Sequence, residues 1–283
     1  MENGMLKRIV TAVVGIAALM PFIIFSDKWP LIVLTLIMAV PAVCEILACT
    51  GQSKKWVVCV PSILVVAAAQ VLTRILEADV YTTAMLLVYL AYAVLMMTAA
   101  VFSKGEIKLK DVTQTVVMVM YVSFGFASLV LLRDFKYGMV LMLLAFIIPW
   151  VCDAMAYFVG VFFGKHKLIP DVSPKKTVEG AVGGIVGVVL ITAIFGLVMH
   201  YGFGKQPNYI VLLALALIGG FVSQWGDLIA SLLKREYGVK DYGKIFPGHG
   251  GIMDRFDSLT VVSTFIYIAC RIFANVTTLF VTW

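Results

Sequence analysis

Apolar residues run through this chain in nine long segments, at about 9–25, 29–50, 56–76, 80–102, 112–132, 138–163, 180–202, 208–233 and 258–280. A bilayer's hydrocarbon core is crossed by a helix of about 20 residues. Lipid offers the backbone no hydrogen-bond partners, so a spanning segment has to satisfy its own N–H and C=O groups. With 62% hydrophobic and 13% charged residues, and a mean hydropathy of +1.02, the chain lacks the polar surface of a soluble domain. The segments predict an all-α, polytopic integral membrane protein of about nine transmembrane helices. The connections are short, apart from those near 165–179 and 234–257, so 1–283 is read as one membrane domain. Within it, 1–135 carries little chemistry, 138–258 carries the site and 258–283 is a last anchor.

Charge placement orients the segments. With the N-terminus inside, 16 of the 22 Lys and Arg fall on the cytoplasmic side, five (Lys28, Arg74, Arg133, Lys136, Lys205) fall outside, and Arg271 lies in the last segment. This positive-inside asymmetry puts both long polar loops in the cytoplasm. Lys7 and Arg8 precede the first apolar run as in a signal peptide. That run lacks a small-residue cleavage site and leads into further spans, so an uncleaved first helix is expected. The five cysteines (Cys44, Cys49, Cys59, Cys152, Cys270) sit in apolar segments without C-x-x-C spacing, which argues against a disulfide framework or metal cluster.

The polar chemistry concentrates in Ser223–Ser258. On a helix, Ser223, Gln224, Asp227, Ser231, Lys234 and Arg235 share an arc of roughly 120°. Trp225, Ile229, Leu232 and Leu233 face the other way. A polar stripe on a membrane helix turns towards a cavity or a bundle interior. Lys240, Asp241 and Lys244 follow, then Pro247-Gly248-His249-Gly250-Gly251, whose glycines let successive N–H groups converge on an anion. Asp254 and Asp257 share a helical face, with Arg255 between them. Carboxylates among lysines and arginines, without thiolates, suit Mg²⁺ or Mn²⁺ holding phosphates.

Two other places stand out. Asp153 lies in an apolar segment behind Pro149 and requires a partner there. Glu45 is likewise an acid within a span, a functional candidate by its setting or an acid near the interface or bonded to a neighbouring helix. In Ser173-Pro174-Lys175-Lys176-Thr177-Val178-Glu179-Gly180, Ser173 suits an N-cap and Pro174 the first helical position. Lys175 and Lys176 would then occupy the first turn, where the helix dipole favours anions. A bound phosphate, or simple membrane anchoring, accounts for them.

The order Ser231, Lys234-Arg235, Lys240-Asp241, Gly243, Pro247, His249-Gly250-Gly251, Asp254-Arg255 and Asp257 resembles the signature of phosphatidate cytidylyltransferases, also called CDP-diacylglycerol synthases. Met253, where Leu is expected, is a mild apolar departure. The Ser173–Gly180 stretch is similar to a second motif of that family, and an acid at the place of Asp153 belongs to its active-site region.

The resemblance implies an enzyme that joins CTP to phosphatidic acid at the cytoplasmic face of a membrane, the bacterial inner membrane being the expected location. Asp227 and Asp254 are the expected Mg²⁺ ligands, with Asp257 and Asp153 as additional candidates; Mn²⁺ or a second cation is an option. Asp227, Asp254, Lys234, Arg235 and His249 form the expected catalytic set. Ser173, Lys175, Lys176, Thr177, Ser231, Lys240, Asp241, Lys244, Gly248, Gly250, Gly251 and Arg255 are expected to contact substrate or phosphate. His249 is expected to donate a hydrogen bond and not to act as a base, because a phosphate monoester is mostly ionised near pH 7.

A cation- or proton-coupled transporter using intramembrane aspartates is the main alternative. Against it, the polar residues crowd one side and no inverted repeat is visible. An alcohol phosphatidyltransferase would need an Asp-Gly, Ala-Arg and paired-Asp motif that is absent. No nucleic-acid partner is indicated, and a homo-oligomer is an option the sequence does not decide.

Overall fold

The computed structural model describes Pro21 and residues 29–246, 250–273 and 279–281. Nearly all of the first apolar segment, and Pro247, Gly248 and His249, lie outside the described residues. The described helices are α1 (Trp29–Cys49), α2 (Trp56–Ile75), α3 (Ala78–Phe102), α4 (Leu109–Leu132), α5 (Gly138–Phe163), α6 (Val178–Phe203), α7 (Tyr209–Glu236) and α8 (Met253–Ile272). The first seven are long and apolar enough to cross a membrane, so the chain is a polytopic, mainly helical membrane protein. α8 carries Asp254, Arg255, Asp257 and Arg271 in 20 residues and is less apolar. Seven candidate spans among the described residues therefore stand where about nine were expected. Pro41, Pro61 and Pro149 lie inside α1, α2 and α5, which continue through them.

The fold is not purely helical. β1 (Lys167–Ile169) pairs antiparallel with β2 (Ser173–Thr177), and β3 (Gln206–Pro207) with β4 (Phe280–Val281). The first hairpin corrects the expected helix start. Ser173 and Pro174 are strand residues, and Lys175 and Lys176 precede the helix instead of occupying its first turn. The cap is Thr177, whose Oγ1 accepts the N–H of Gly180 at 3.1 Å. Glu179 then supplies the acid that the first turn favours. Its carboxylate also accepts the N–H groups of Lys165 and His166 and pairs with His166 Nδ1 at 2.6 Å, tying the hairpin's base to the helix.

The described chain forms two compact units. The first gathers the residues up to Leu131 and Lys234–Phe256. Of its helices α4 is the most buried, at 78% of its apolar window, and α3 the least, at 22%. Buried polar groups cross between helices in pairs. Ser62 meets the Tyr92 hydroxyl at 2.8 Å, Tyr89 meets Ser123 at 2.8 Å, and Gln70 donates to the carbonyl of Ser123 at 3.0 Å. Such bonds within a bundle contribute about 0.6–2 kcal/mol each.

The second unit comprises Leu132–Leu233 and the residues from Asp257 onward. A Cβ on Gly180 would lie 2.7 Å from the carbonyl oxygen of Ala156, and one on Gly184 2.9 Å from that of Cys152. The small-residue face of α6 therefore lets its backbone approach α5, as small residues do in membrane bundles.

Candidate active site

In the second unit, α5, β2, α6 and α7 enclose a cavity of about 340 Å³. Asp153, Lys175, Lys176, Thr177, Gln224 and Asp227 supply its polar lining, and Ala156, Tyr157, Val161 and Ala181 its apolar lining. Asp153 lies ten residues before the end of α5 at Phe163, about 15 Å along the axis. The cavity therefore reaches well below the helix ends.

Asp227 organises the polar wall. Its Oδ2 pairs with Lys176 Nζ at 2.6 Å, and its Oδ1 accepts the Ser231 hydroxyl at 3.1 Å. Ser231 lies one turn on along the same helix, so the polar stripe preorganises the carboxylate. Gln224 donates to the carbonyl of Ala181 at 2.7 Å. Ser223 is fully buried. On the far face Trp225, Ile229 and Leu232 are exposed as expected, whereas Leu233 is buried. Asp153 is exposed on the cavity and Lys175 at its rim. Asp257 is buried at the start of α8, and its Oδ1 accepts the N–H of Ser258 at 2.7 Å.

The first unit holds a second cluster. Lys234 Nζ meets Asp254 Oδ1 at 2.8 Å and lies 5.3 Å from the centre of the Tyr242 ring. Asp254 Oδ2 accepts the N–H groups of Tyr242 at 2.8 Å and Gly251 at 2.9 Å. The Gly251 N–H, expected to face a triphosphate, is thus engaged by Asp254. Gly250 has φ +85°, in the left-handed region that favours glycine, and its carbonyl accepts the N–H of Phe246 at 2.9 Å. Arg235, Lys240, Asp241, Lys244 and Arg255 are exposed, and Arg235 donates to the carbonyl of Val239 at 3.1 Å. Just beyond α7, the Tyr237 hydroxyl donates to Asp111 at 2.8 Å. Burial first, and then the Asp111 carboxylate, push its pKa upward. Gly248 and His249 lie outside the described residues.

Sequence reasoning did not connect Glu45 to this cluster. Its Oε1 accepts the N–H of Ile252 at 3.0 Å and its Oε2 that of Met253 at 2.9 Å. The partners are 207 and 208 residues apart in the chain, so no local pattern announces them. The Thr177 cap did have a signal, a threonine immediately before an apolar run. Ser173-Pro174 offered an equally good start.

The residues fit a divalent cation in a limited way. Among the described residues no group of three or more His, Cys, Asp or Glu side chains converges. Asp153 and Asp227 line one cavity, and Mg²⁺ commonly takes one or two carboxylates, leaving the other positions to water and phosphate. At Asp254 a cation would take the place of Lys234.

Known proteins resemble this chain in sequence. A phosphatidate cytidylyltransferase of Bacillus subtilis (strain 168) is 40% identical over 181 residues, which are 64% of this chain and 66% of that protein. Phosphatidate cytidylyltransferases of Staphylococcus saprophyticus and Staphylococcus aureus (strain COL) are 37% and 39% identical over 173 residues, 61% of this chain and 64% of theirs. The chain thus matches slightly less than two thirds of the length of these relatives. The model of the cytidylyltransferase family matches residues 6–273, which takes in both the α5–α7 cavity and the Lys234–Asp254 turn. On a match of that extent, the chain belongs to the cytidylyltransferase family.

Proposed function

We propose that the chain transfers a cytidylyl group from CTP to phosphatidic acid in the membrane, giving CDP-diacylglycerol and pyrophosphate. The observation that carries this reading is the Lys176–Asp227 pair on the polar wall of a cavity whose other wall is apolar. A lipid phosphate needs both surfaces, and a nucleoside triphosphate needs the cations. Family membership and the names of the relatives supply the reaction.

A phosphate oxygen of phosphatidate forms a bond to the α-phosphorus of CTP. The bond from that phosphorus to the α–β bridging oxygen breaks in line, and pyrophosphate leaves with that oxygen. The attacking phosphate is already largely ionised near pH 7, so no base is required. Positioning and charge neutralisation carry the rate. Lys175 and Lys176 neutralise phosphate oxygens, and Asp227 and Ser231 fix the Lys176 ammonium before substrate arrives. Lys234 is a second cation, held by Asp254; exposed Arg235, Lys240, Lys244 and Arg255 steer the nucleotide. Asp227, with Asp153 on the same cavity, would hold Mg²⁺ or Mn²⁺, and Asp254 and Asp257 are further ligand candidates. When bound, the ion supplies charge neutralisation for the phosphates. The cavity faces the cytoplasm of a bacterial inner membrane in this reading, in keeping with the positive-inside asymmetry.

The test is direct. The purified protein in phosphatidate-containing micelles should release pyrophosphate with CTP and Mg²⁺, and form CDP-diacylglycerol in equal amount. Release that does not depend on phosphatidate, or no release at all from folded protein, overturns the reading.

A further inference from the structure

Glu45 lies in α1, four residues before its end at Cys49, and only 7% of it is exposed. An acid buried in a span is costly unless its oxygens are bonded. Both oxygens are bonded here, one to the N–H of Ile252 and the other to that of Met253. These groups open α8, where the first N–H groups of a helix have no partner within it. The positive end of the helix dipole points the same way. Glu45 is thus a helix cap supplied by a distant span.

Two glycines are shaped by it. A Cβ on Gly243 or on Gly251 would run into the Glu45 carboxyl group. At these positions the absent side chain makes room for a protein carboxylate. Asp254 completes the arrangement by binding the N–H groups of Tyr242 and Gly251 and the Lys234 ammonium. Glu45 therefore holds residues 252 and 253 while Asp254, one position on, holds 242, 251 and Lys234.

We infer that Glu45 is a positioning residue of the reaction: by docking the start of α8 it sets where Asp254 and Lys234 stand. It does not touch substrate. This inference rests on the proposed cytidylyl transfer for its kinetic arm only. A misplacement of about 1 Å in such groups can cost about 10²-fold in rate. The effect should fall on kcat, with the KM for CTP little changed, because Lys175 and Lys176 are untouched.

The experiment compares wild type, Glu45→Gln and Glu45→Ala in two measurements on the full chain. Hydrogen exchange reads the docking directly, without reference to activity. The amides of 250–256 should exchange at least tenfold faster in Glu45→Ala, and less so in Glu45→Gln, which keeps one acceptor. The α2 and α4 amides should keep their protection. In the kinetic arm, kcat should fall about 10- to 100-fold in Glu45→Ala, with partial recovery in Glu45→Gln. Faster exchange at 250–256 with an unchanged kcat makes Glu45 a cap only and overturns the inference. So does unchanged exchange, or loss of protection throughout both variants, which would make it a residue of general stability. An inactive wild type that still shows the local exchange change refutes the proposed reaction, not the docking.

Discussion

The Lys176–Asp227 and Lys234–Asp254 pairs use the same two residue types at nearly equal distances, 2.6 and 2.8 Å, in different surroundings. In the first pair the side chains are 24% and 27% exposed and border a cavity; in the second they are 11% and 4% exposed. Among the described residues, Asp227 has one other hydrogen-bond donor, the Ser231 hydroxyl, whereas Asp254 has two backbone N–H groups. An open pair gains little from its own attraction, about 0–1 kcal/mol, and can trade partners. Breaking a closed one by removing a partner leaves a buried charge and costs about 3–5 kcal/mol. In the proposed reading Asp227 trades Lys176 for a metal cation, and Lys176 trades Asp227 for a phosphate. The closed pair is fixed in place, because Asp254 also binds the N–H groups of Tyr242 and Gly251.

The largest effects should come from the two aspartates. Both Asp227→Asn and Asp254→Asn should lose at least about 10²-fold in rate, the scale of a major electrostatic contact. They should part company in stability. Asp227→Asn should melt within a few degrees of wild type, while Asp254→Asn strands Lys234 and should lose about 3–5 kcal/mol. Thermal unfolding in detergent reads the difference, and equal destabilisation would erase the contrast. Mg²⁺ gives a second handle. It should raise the melting temperature of wild type, as any ligand of the folded state does, and fail to do so for Asp227→Asn.

Next in size is the cavity's cationic rim. Replacing Lys175 and Lys176 together by Gln removes charge that meets substrate and transition state alike, so the KM for CTP or phosphatidate should rise about tenfold with kcat less affected. Insertion should be unchanged. If topology reporters flip while correctly inserted protein keeps normal kinetics, these lysines are anchors. A smaller effect is expected at His249. His249→Gln, which keeps a donor, should retain more activity than His249→Ala, and the loss should be the same at pH 7 and pH 9. Selective recovery of the mutant at high pH would mean that His249 takes a proton after all.

The spans were legible because lipid imposes one rule on every segment. The apolar run 138–163 coincides with Gly138–Phe163, and 56–76 nearly coincides with Trp56–Ile75. Of the polar stripe expected from Ser223 to Arg235, helical periodicity collects Ser223, Gln224, Asp227, Ser231 and Lys234, while Arg235 is exposed and Leu233 is buried. The stripe's partners were not legible. Lys176 reaches Asp227 from a hairpin, and Asp254 reaches Lys234 from 20 residues further along the chain, so neither pairing is written in local spacing. Gly251 illustrates the same limit. Anion cradle and tight packing both call for glycine, and only the position of Glu45 shows that packing decides at Gly251.

Thr177 gives the smallest and most discriminating case, because it borders the open pair without belonging to it. Its family resemblance marked it for phosphate, while its hydroxyl in the structure caps α6 through the Gly180 N–H at 3.1 Å. A Thr cap lost to Ala costs about 1 kcal/mol, and Ser caps as well as Thr. Thr177→Ser should therefore match wild type in melting and in rate. Thr177→Ala should lose about 1 kcal/mol. Lys176 is the preceding residue, so a frayed cap loosens its approach to Asp227 and should raise the KM about twofold to threefold, a loss of ordinary binding. The opposite pattern, an unchanged melting temperature with a 100-fold loss of rate in Thr177→Ala, would place the hydroxyl on the substrate and extend the open site by one residue.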